Sequence, residues 1–246
     1  MPLAKTRLLN VPRYALFFNG VNDYIRVNDS PSLNPQGPFT IIFSMKSNVN
    51  FVGTNGPVII DKRGTEASGY AVYNWNDGFV ISVFLSGILY YNAYPIDWDV
   101  TQWHSYVAIW NGTHTILYVD IIKKDSKPAS GTMGINTLPL YIGVYQGTSF
   151  WLNGFISEVL LYSRVLSQDE IQWNYNYPEN PVRNGLVLWL LAHPNNIKDI
   201  DGDGILEWLD LSGFNNHGKI YGAVLQEIVK APTRILTPTR IQSPVR

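Results

Sequence analysis

The chain has 246 residues, 46% hydrophobic and 13% aromatic, with a formal net charge of −1 and no cysteine. A near-neutral balance argues against a generic nucleic-acid binder, which presents a basic domain. The missing thiols exclude disulfide stapling, thiolate chemistry and cysteine-ligated metal. The longest apolar run, residues 186–192, falls far short of a membrane span.

In chain order, residues 1–13 form a basic, proline-punctuated arm carrying Arg7 and Arg13, without the apolar stretch of a secretory signal. Residues 14–18 and 23–27 flank Asn19-Gly20, which predicts a hairpin. Residues 30–38 are a loop by their Ser, Asn, Gly and Pro content. Strands are predicted over 39–46, 57–61, 70–75, 79–85 and 88–93, with Asn76-Asp77-Gly78 and Ser86-Gly87 as turns. Residues 103–110 and 115–122 flank Asn111-Gly112 as another hairpin. Stretches 138–144 and 150–162 complete a series with β-sandwich spacing. Ser167 then stands three residues before Glu170, a capping box that starts a short helix ending near Asn176-Tyr177-Pro178.

Four stretches occur in a telling order. They are Leu16-Phe-Phe-Asn-Gly-Val-Asn-Asp-Tyr-Ile-Arg-Val27, Trp103-His-Ser-Tyr-Val-Ala108 through Leu117-Tyr-Val-Asp120, Leu140-Tyr-Ile-Gly143, and the segment from Gly154 through Glu158, Tyr162, Arg164 and Leu166-Ser167. Over residues 14–175 the chain resembles laminin-G-like (concanavalin A-like) jelly-roll domains. The resemblance implies an all-β, two-layer antiparallel jelly-roll β-sandwich with one short helix after the Phe155–Tyr162 strand. It implies no particular ligand, because that fold hosts lectins, glucanases, adhesion modules and structural proteins. Residues 185–190, 208–213 and 216–223 resemble the opening segment of the family, which in relatives precedes the Phe-Asn-Gly-Val stretch. This order reads as a circular permutation, with 185–224 supplying the first strands of one sandwich over 14–224. The alternative is a truncated second repeat, which about 40 residues could not easily make a core for.

Residues 225–246 read as an extended tail in which Pro-x-Arg recurs every six residues from Pro232, as Pro-Thr-Arg twice and then Pro244-Val-Arg246. Six is a multiple of three, so a polyproline II helix sets Arg234, Arg240 and Arg246 on one edge and Ile235 and Ile241 on another. Together with Arg7 and Arg13 these are the expected assembly contacts, to other copies of the chain or to a neighbouring structural protein. A disordered linker is the plainer reading of such composition.

The most specific local motif is Asp199-Ile-Asp-Gly-Asp-Gly-Ile-Leu-Glu-Trp-Leu-Asp210. Asp199, Asp201 and Asp203 at positions 1, 3 and 5, the Ile205 carbonyl at 7 and Asp210 at 12 match a calcium loop, with Gly204 allowing the sharp turn. A structural calcium is expected, although position 12 is Asp rather than Glu and the flanks read as strands. An acidic turn without metal is the alternative. Asn19, Asn22 and Asp23 are expected to serve a turn rather than a metal.

For glycan recognition the candidates are Tyr91, Tyr94, Asp97, Trp98 and Asp99, with Tyr145, Phe150 and Trp151. Rings stack on sugar C–H surfaces while carboxylates take hydroxyls; the alternative is that these are strand ends packed on the core. The spacing Glu-x-Asp-x-x-Glu of the fold's glucanases is absent, so no catalytic residue is assigned. Three classes compete. The first is a non-catalytic surface or assembly protein of a virion or cell surface, whose arms add to neighbours. The second is a calcium-stabilised carbohydrate-binding or adhesion module, and the third, a glycoside hydrolase, lacks its carboxylates. An extracellular or virion-surface location is expected.

Overall fold

The computed structural model describes residues 11–51, 55–64, 68–76 and 78–228. Strands β1 (Tyr14–Asn19), β2 (Tyr24–Val27), β3 (Phe39–Ser47) and β4 (Val58–Asp61) lead into a meander of β5 (Tyr70–Trp75), β6 (Gly78–Leu85) and β7 (Ile88–Pro95). A second meander comprises β8 (His104–Trp110), β9 (His114–Val119) and β10 (Ile122–Pro128). It is followed by β11 (Leu140–Ile142) and the long β12 (Asn153–Tyr162). After helix α1 (Gln168–Asn176) come β13 (Leu186–Leu191), β14 (Ile197–Lys198), β15 (Glu207–Trp208), β16 (Gly218–Tyr221) and β17 (Val224–Glu227).

These strands make the two antiparallel layers expected of a jelly roll. One sheet of eight strands runs β10-β9-β8-β3-β12-β1-β17, with β13 also on β12. The other, of nine, runs β14-β15-β16-β2-β11-β4-β5-β6-β7. Alternate residues of both meet in one core that includes Phe18, Ile25, Phe43, Ile142, Ile156 and Trp208. At its centre the rings of Phe43, Tyr106 and Phe79 stack at 5.1 and 4.9 Å, nearly parallel. Each such pair adds about 0.5–1.5 kcal/mol beyond its buried area. A smaller cluster on the outer side of the eight-stranded sheet seats Ile171 of α1 against Ile42, Leu160 and Tyr162.

The helix starts as the sequence predicts. Ser167 Oγ accepts the Glu170 N–H at 3.3 Å and Glu170 Oε2 accepts the Ser167 N–H at 2.9 Å. Arg164 clamps the same carboxylate with two bonds of 2.8 and 2.6 Å, and this holds Glu170 down at about 2.

The predicted 14–28 hairpin does not form, because β1 and β2 lie in opposite sheets. Asn19 Oδ1 accepts the N–H groups of Val21 and Asn22, and Asp23 Oδ2 accepts that of Asn19. These side chain–backbone bonds replace ladder bonds and arch the chain from one layer to the other. Gly20 permits the arch at φ +77°, where a Cβ would stand 2.8 Å from that of Asn153. Strand β10 was not predicted, since its polar Ile-Lys-Lys-Asp-Ser-Lys-Pro does not alternate. It forms by pairing on β9, and lysines with a terminal proline suit an exposed edge.

Residues 185–227 supply strands to both sheets: β13 beside β12, β14 to β16 beside β2, and β17 beside β1. Residues 224–227, which the sequence reading divides between body and tail, thus form β17. Arg13, read as part of the arm, is tied to it, with Nε 3.2 Å from Glu227 Oε1 and its carbonyl accepting the Ile228 N–H at 2.8 Å. Arg7, Arg234, Ile235, Arg240, Ile241 and Arg246 lie outside the described residues.

Candidate functional site

Side chains of a strand alternate between faces, so register decides which residues of different strands become neighbours. In the nine-stranded sheet the pairings set one residue per strand in a single row: Lys198, Glu207, Lys219, Arg26, Tyr141, Asp61, Ala71, Ser82 and Tyr91. In β2, Tyr24 and Arg26 are half-buried while Ile25 and Val27 are buried, so the row lies on the side away from the core.

Aromatic rings flank this row. Tyr24 stacks on Tyr221 at 4.6 Å and meets Tyr141 and Trp151 at 6.1 and 5.9 Å. Nearer β7, Arg63 Nε binds Asp61 Oδ1 at 2.6 Å, and its guanidinium lies over the rings of Tyr73 and Tyr145 at 4.6 and 5.1 Å. Tyr91 meets Tyr73 edge-on, and Phe150 fills the space between Trp75 and Tyr145. Burial raises the Asp61 carboxyl and the Arg63 charge opposes that rise. Asp61 is buried and holds Arg63 in place against the rings, so the face offers flat apolar surfaces, tyrosine hydroxyls and the Arg26 guanidinium. Such a surface can stack on a sugar ring while donating to and accepting from its hydroxyls.

The sequence-predicted glycan residues divide. Tyr91, Tyr145 and Trp151 lie on this face. Tyr94 does not: it is fully buried, its hydroxyl bonds Thr115 Oγ1 at 2.8 Å, and burial pushes it up to about 12. Trp98 packs on the core with its indole N–H donated to Tyr106 at 3.0 Å. Lys124 covers its ring and binds Asp97, and Asp99 closes a turn with Thr101. Tyr94, Asp97, Trp98 and Asp99 thus serve β7, the core and the connection to β8. The residues missed were Tyr24, Tyr141, Tyr221, Asp61 and Arg63. Alternation in Tyr24-Ile-Arg-Val27 and Leu140-Tyr-Ile142 marks outward positions, but only register brings them side by side.

The acidic loop departs from a twelve-residue calcium ring. Asp199, Asp201 and Glu207 bring carboxylate oxygens within 4.8 Å of one another. Asp199 accepts the N–H groups of Gly202 and Gly204, and Asp203 accepts that of Ile205. The Lys219 ammonium binds Asp201 at 2.8 Å, binds Asp203, and lies 3.9 Å from Glu207. Asp210 is elsewhere, bridged to Leu190 of β13. Its buried carboxylate accepts from the Trp189, Ser212 and Asn216 backbone and from Ser212 Oγ, each at 2.8–2.9 Å. Glu207, paired across β15 with Lys198 and Lys219, takes its place in the cluster. His104 and His217 are structural: His104 bridges Asp120 and the Asp99 carbonyl, and His217 accepts the Asp210 N–H.

Among solved structures, the chain is similar to a protein from Bacteroides ovatus described as a "putative carbohydrate binding protein". The TM-score is 0.66 at 16% identity, over 87% of this chain and 60% of that one. It is also similar to the binding domain of botulinum neurotoxin DC in complex with SialylT (TM-score 0.52, 14% identity, 69% of this chain and 43% of that one). A botulinum neurotoxin type C structure, described through an interaction with two ganglioside molecules, gives 0.52 at 15% identity over 79% and 45%. The chain spans 60% or less of these proteins, and likeness at such identities is one of fold. No curated protein matches the chain in sequence. The laminin-G-type family model of the concanavalin A-like lectin/glucanases superfamily matches residues 19–172, well over half of the chain, and the chain belongs to that family.

Proposed function

We propose that this chain is a non-catalytic, lectin-like carbohydrate-binding module that offers the outer face of its nine-stranded sheet to a glycan. Arg26, Tyr141 and Tyr91, the accessible members of that row, with the stacked rings of Tyr24 and Tyr221 beside them, carry this reading. The carbohydrate associations of its structural relatives support it. A glycan array on the intact chain should yield a hit, to be followed by calorimetry. Tyr141→Ala should then weaken binding about tenfold, or ~1.4 kcal/mol, within the range of one aromatic contact. Trp98→Ala should bind as the wild type does. An unchanged affinity in Tyr141→Ala would remove this face from the account.

Calcium is proposed as a structural ion at Asp199, Asp201 and Glu207, whose hard oxygen donors suit it. The ion competes with Lys219, which already neutralises Asp201 and Asp203. Calcium should raise the melting temperature, and Lys219→Met should bind it more tightly than the wild type. Melting temperatures of both proteins that ignore a chelator would eliminate the ion.

A second reading, a surface assembly protein of a virion or cell, has one observation in its favour. Arg13 and Ile228 meet beside β17, which is the end strand of its sheet among the described residues. Such an edge can accept a strand from a neighbour. The oligomeric state of the chain with and without residues 229–246 decides it.

A further inference from the structure

On the outer side of the eight-stranded sheet, between the end of α1 and residues 11–14, lies a cavity of roughly 260 Å³. Its floor is the cross-strand row Leu191, Glu158, Ser44 and Ser105. Glu158 is in that row because β12 carries a bulge, its register against β3 shifting between Ile156 and Glu158. Ile156 and Val159 both reach the core, and Ser157 absorbs the extra residue. Strict alternation would put Glu158 on the core side with Ile156.

The Glu158 residue is 4% exposed, and its Oε1 accepts no hydrogen bond. Burial pushes the carboxyl up to about 8; the Trp189 indole acts the other way without completing a bond. Trp103, on the cavity wall, has an indole N–H that likewise lacks an acceptor. Among the described residues the cavity therefore holds one unmet acceptor and one unmet donor.

Among the described residues its basic side chains are already engaged. Arg13 pairs with Glu227 and lies over the Tyr14 ring, His104 pairs with Asp120 at 2.6 Å, and His193 accepts the Asn195 N–H. Glu158 and Glu179 have no ion pair among the described residues. A buried carboxyl without a partner is costly, and a cation supplied from outside would relieve that cost. Aromatic walls favour such a charge.

We propose that this cavity binds a small organic cation, a primary ammonium or guanidinium on a short stem, with Glu158 as counter-ion and the Trp103 N–H directed to an acceptor on the same ligand. Ligand sites run about 300–1,000 Å³, so this one takes a head group and stem rather than an oligosaccharide. The site is on the opposite sheet from the glycan face and does not depend on it.

The probe is 4-amino-1-butanol, whose ammonium suits Glu158 and whose hydroxyl oxygen can accept from the Trp103 N–H, with 1-butanol as neutral control, titrated calorimetrically into the full chain in buffers of different protonation enthalpy. Saturable binding is expected, releasing up to about one proton near pH 7, because the ligand requires Glu158 as the carboxylate. Affinity should rise by up to about tenfold per pH unit between about pH 6 and 8. Asp120, Glu179, Arg13 and His193 also face the cavity, as does His104. There burial, the largest single effect, opposes the charge, but Asp120 and Asp99 together outweigh it and raise the group. Glu158→Gln leaves all five in place, and should weaken binding about tenfold or more and abolish the proton release. In the wild type, the Trp103 indole resonance should shift while that of Trp110, which donates to the Ala129 carbonyl in the core, stays. Absent saturation, equal binding by Glu158→Gln, or equal binding of 1-butanol would overturn the proposal and leave a water-filled cavity.

Discussion

Two glutamates of the β12–α1 region pull stability in opposite directions with pH. Glu158 titrates near about 8 in the folded chain against an ordinary 4.5, so the folded state binds the extra proton between those values. Its contribution is complete below about 4.5 and is lost as pH rises through about 8. Glu170, held at about 2 by Arg164, contributes fully above about 4.5 and loses that contribution as pH falls toward 2. Melting temperature against pH should therefore fall less on the alkaline side in Glu158→Gln and less on the acid side in Glu170→Gln. Parallel curves for wild type and variants would contradict both assignments. The difference is one of partners: Glu170 was legible as half of a capping box, whereas nothing near Glu158 in sequence tells that it lacks a partner.

At the scale of elements, Asp210 ties β13 to the turn that follows β15. Its carboxylate gathers backbone N–H groups from β13 and from the turn at 212–216. Asp210→Ala should cost at least about 2 kcal/mol in urea unfolding, since buried donors left unmet cost about 1–3 kcal/mol. Asp203→Ala, in the exposed loop, should leave the unfolding midpoint close to that of the wild type. Equal effects would mean that Asp210 is not the tie. Sequence spacing had placed both residues in one metal ring, because a twelve-residue count does not register the pairing that turns β15 and leaves Asp210 facing β13. Helix α1 was legible for the converse reason: its cap is made by residues three apart.

Across the whole molecule, Arg13 and Ile228 meet beside the β1–β17 pair, while the two candidate sites lie on opposite outer faces. If the arms assemble copies, deletion of residues 229–246 should reduce the oligomeric state seen by sedimentation and leave glycan binding intact. Unchanged sedimentation would remove the assembly reading and leave the glycan reading standing. No helix among the described residues is long and apolar enough to cross a membrane.

By itself the sequence determined the fold class, most strands, the Asn111-Gly112 hairpin and the capped helix. Turns, caps and alternating burial are interactions among residues a few positions apart, and the family's stretches stand in the chain in readable order. The tertiary structure alone decided that β1 and β2 part into different sheets, that Tyr94 and Trp98 turn to the core, and that Arg26, Tyr141, Asp61 and Tyr91 share a row. It also decided that a one-residue bulge carries Glu158 to the outer face. Those outcomes depend on register between strands distant in sequence, and a shift of one residue reverses which side of a sheet a side chain occupies.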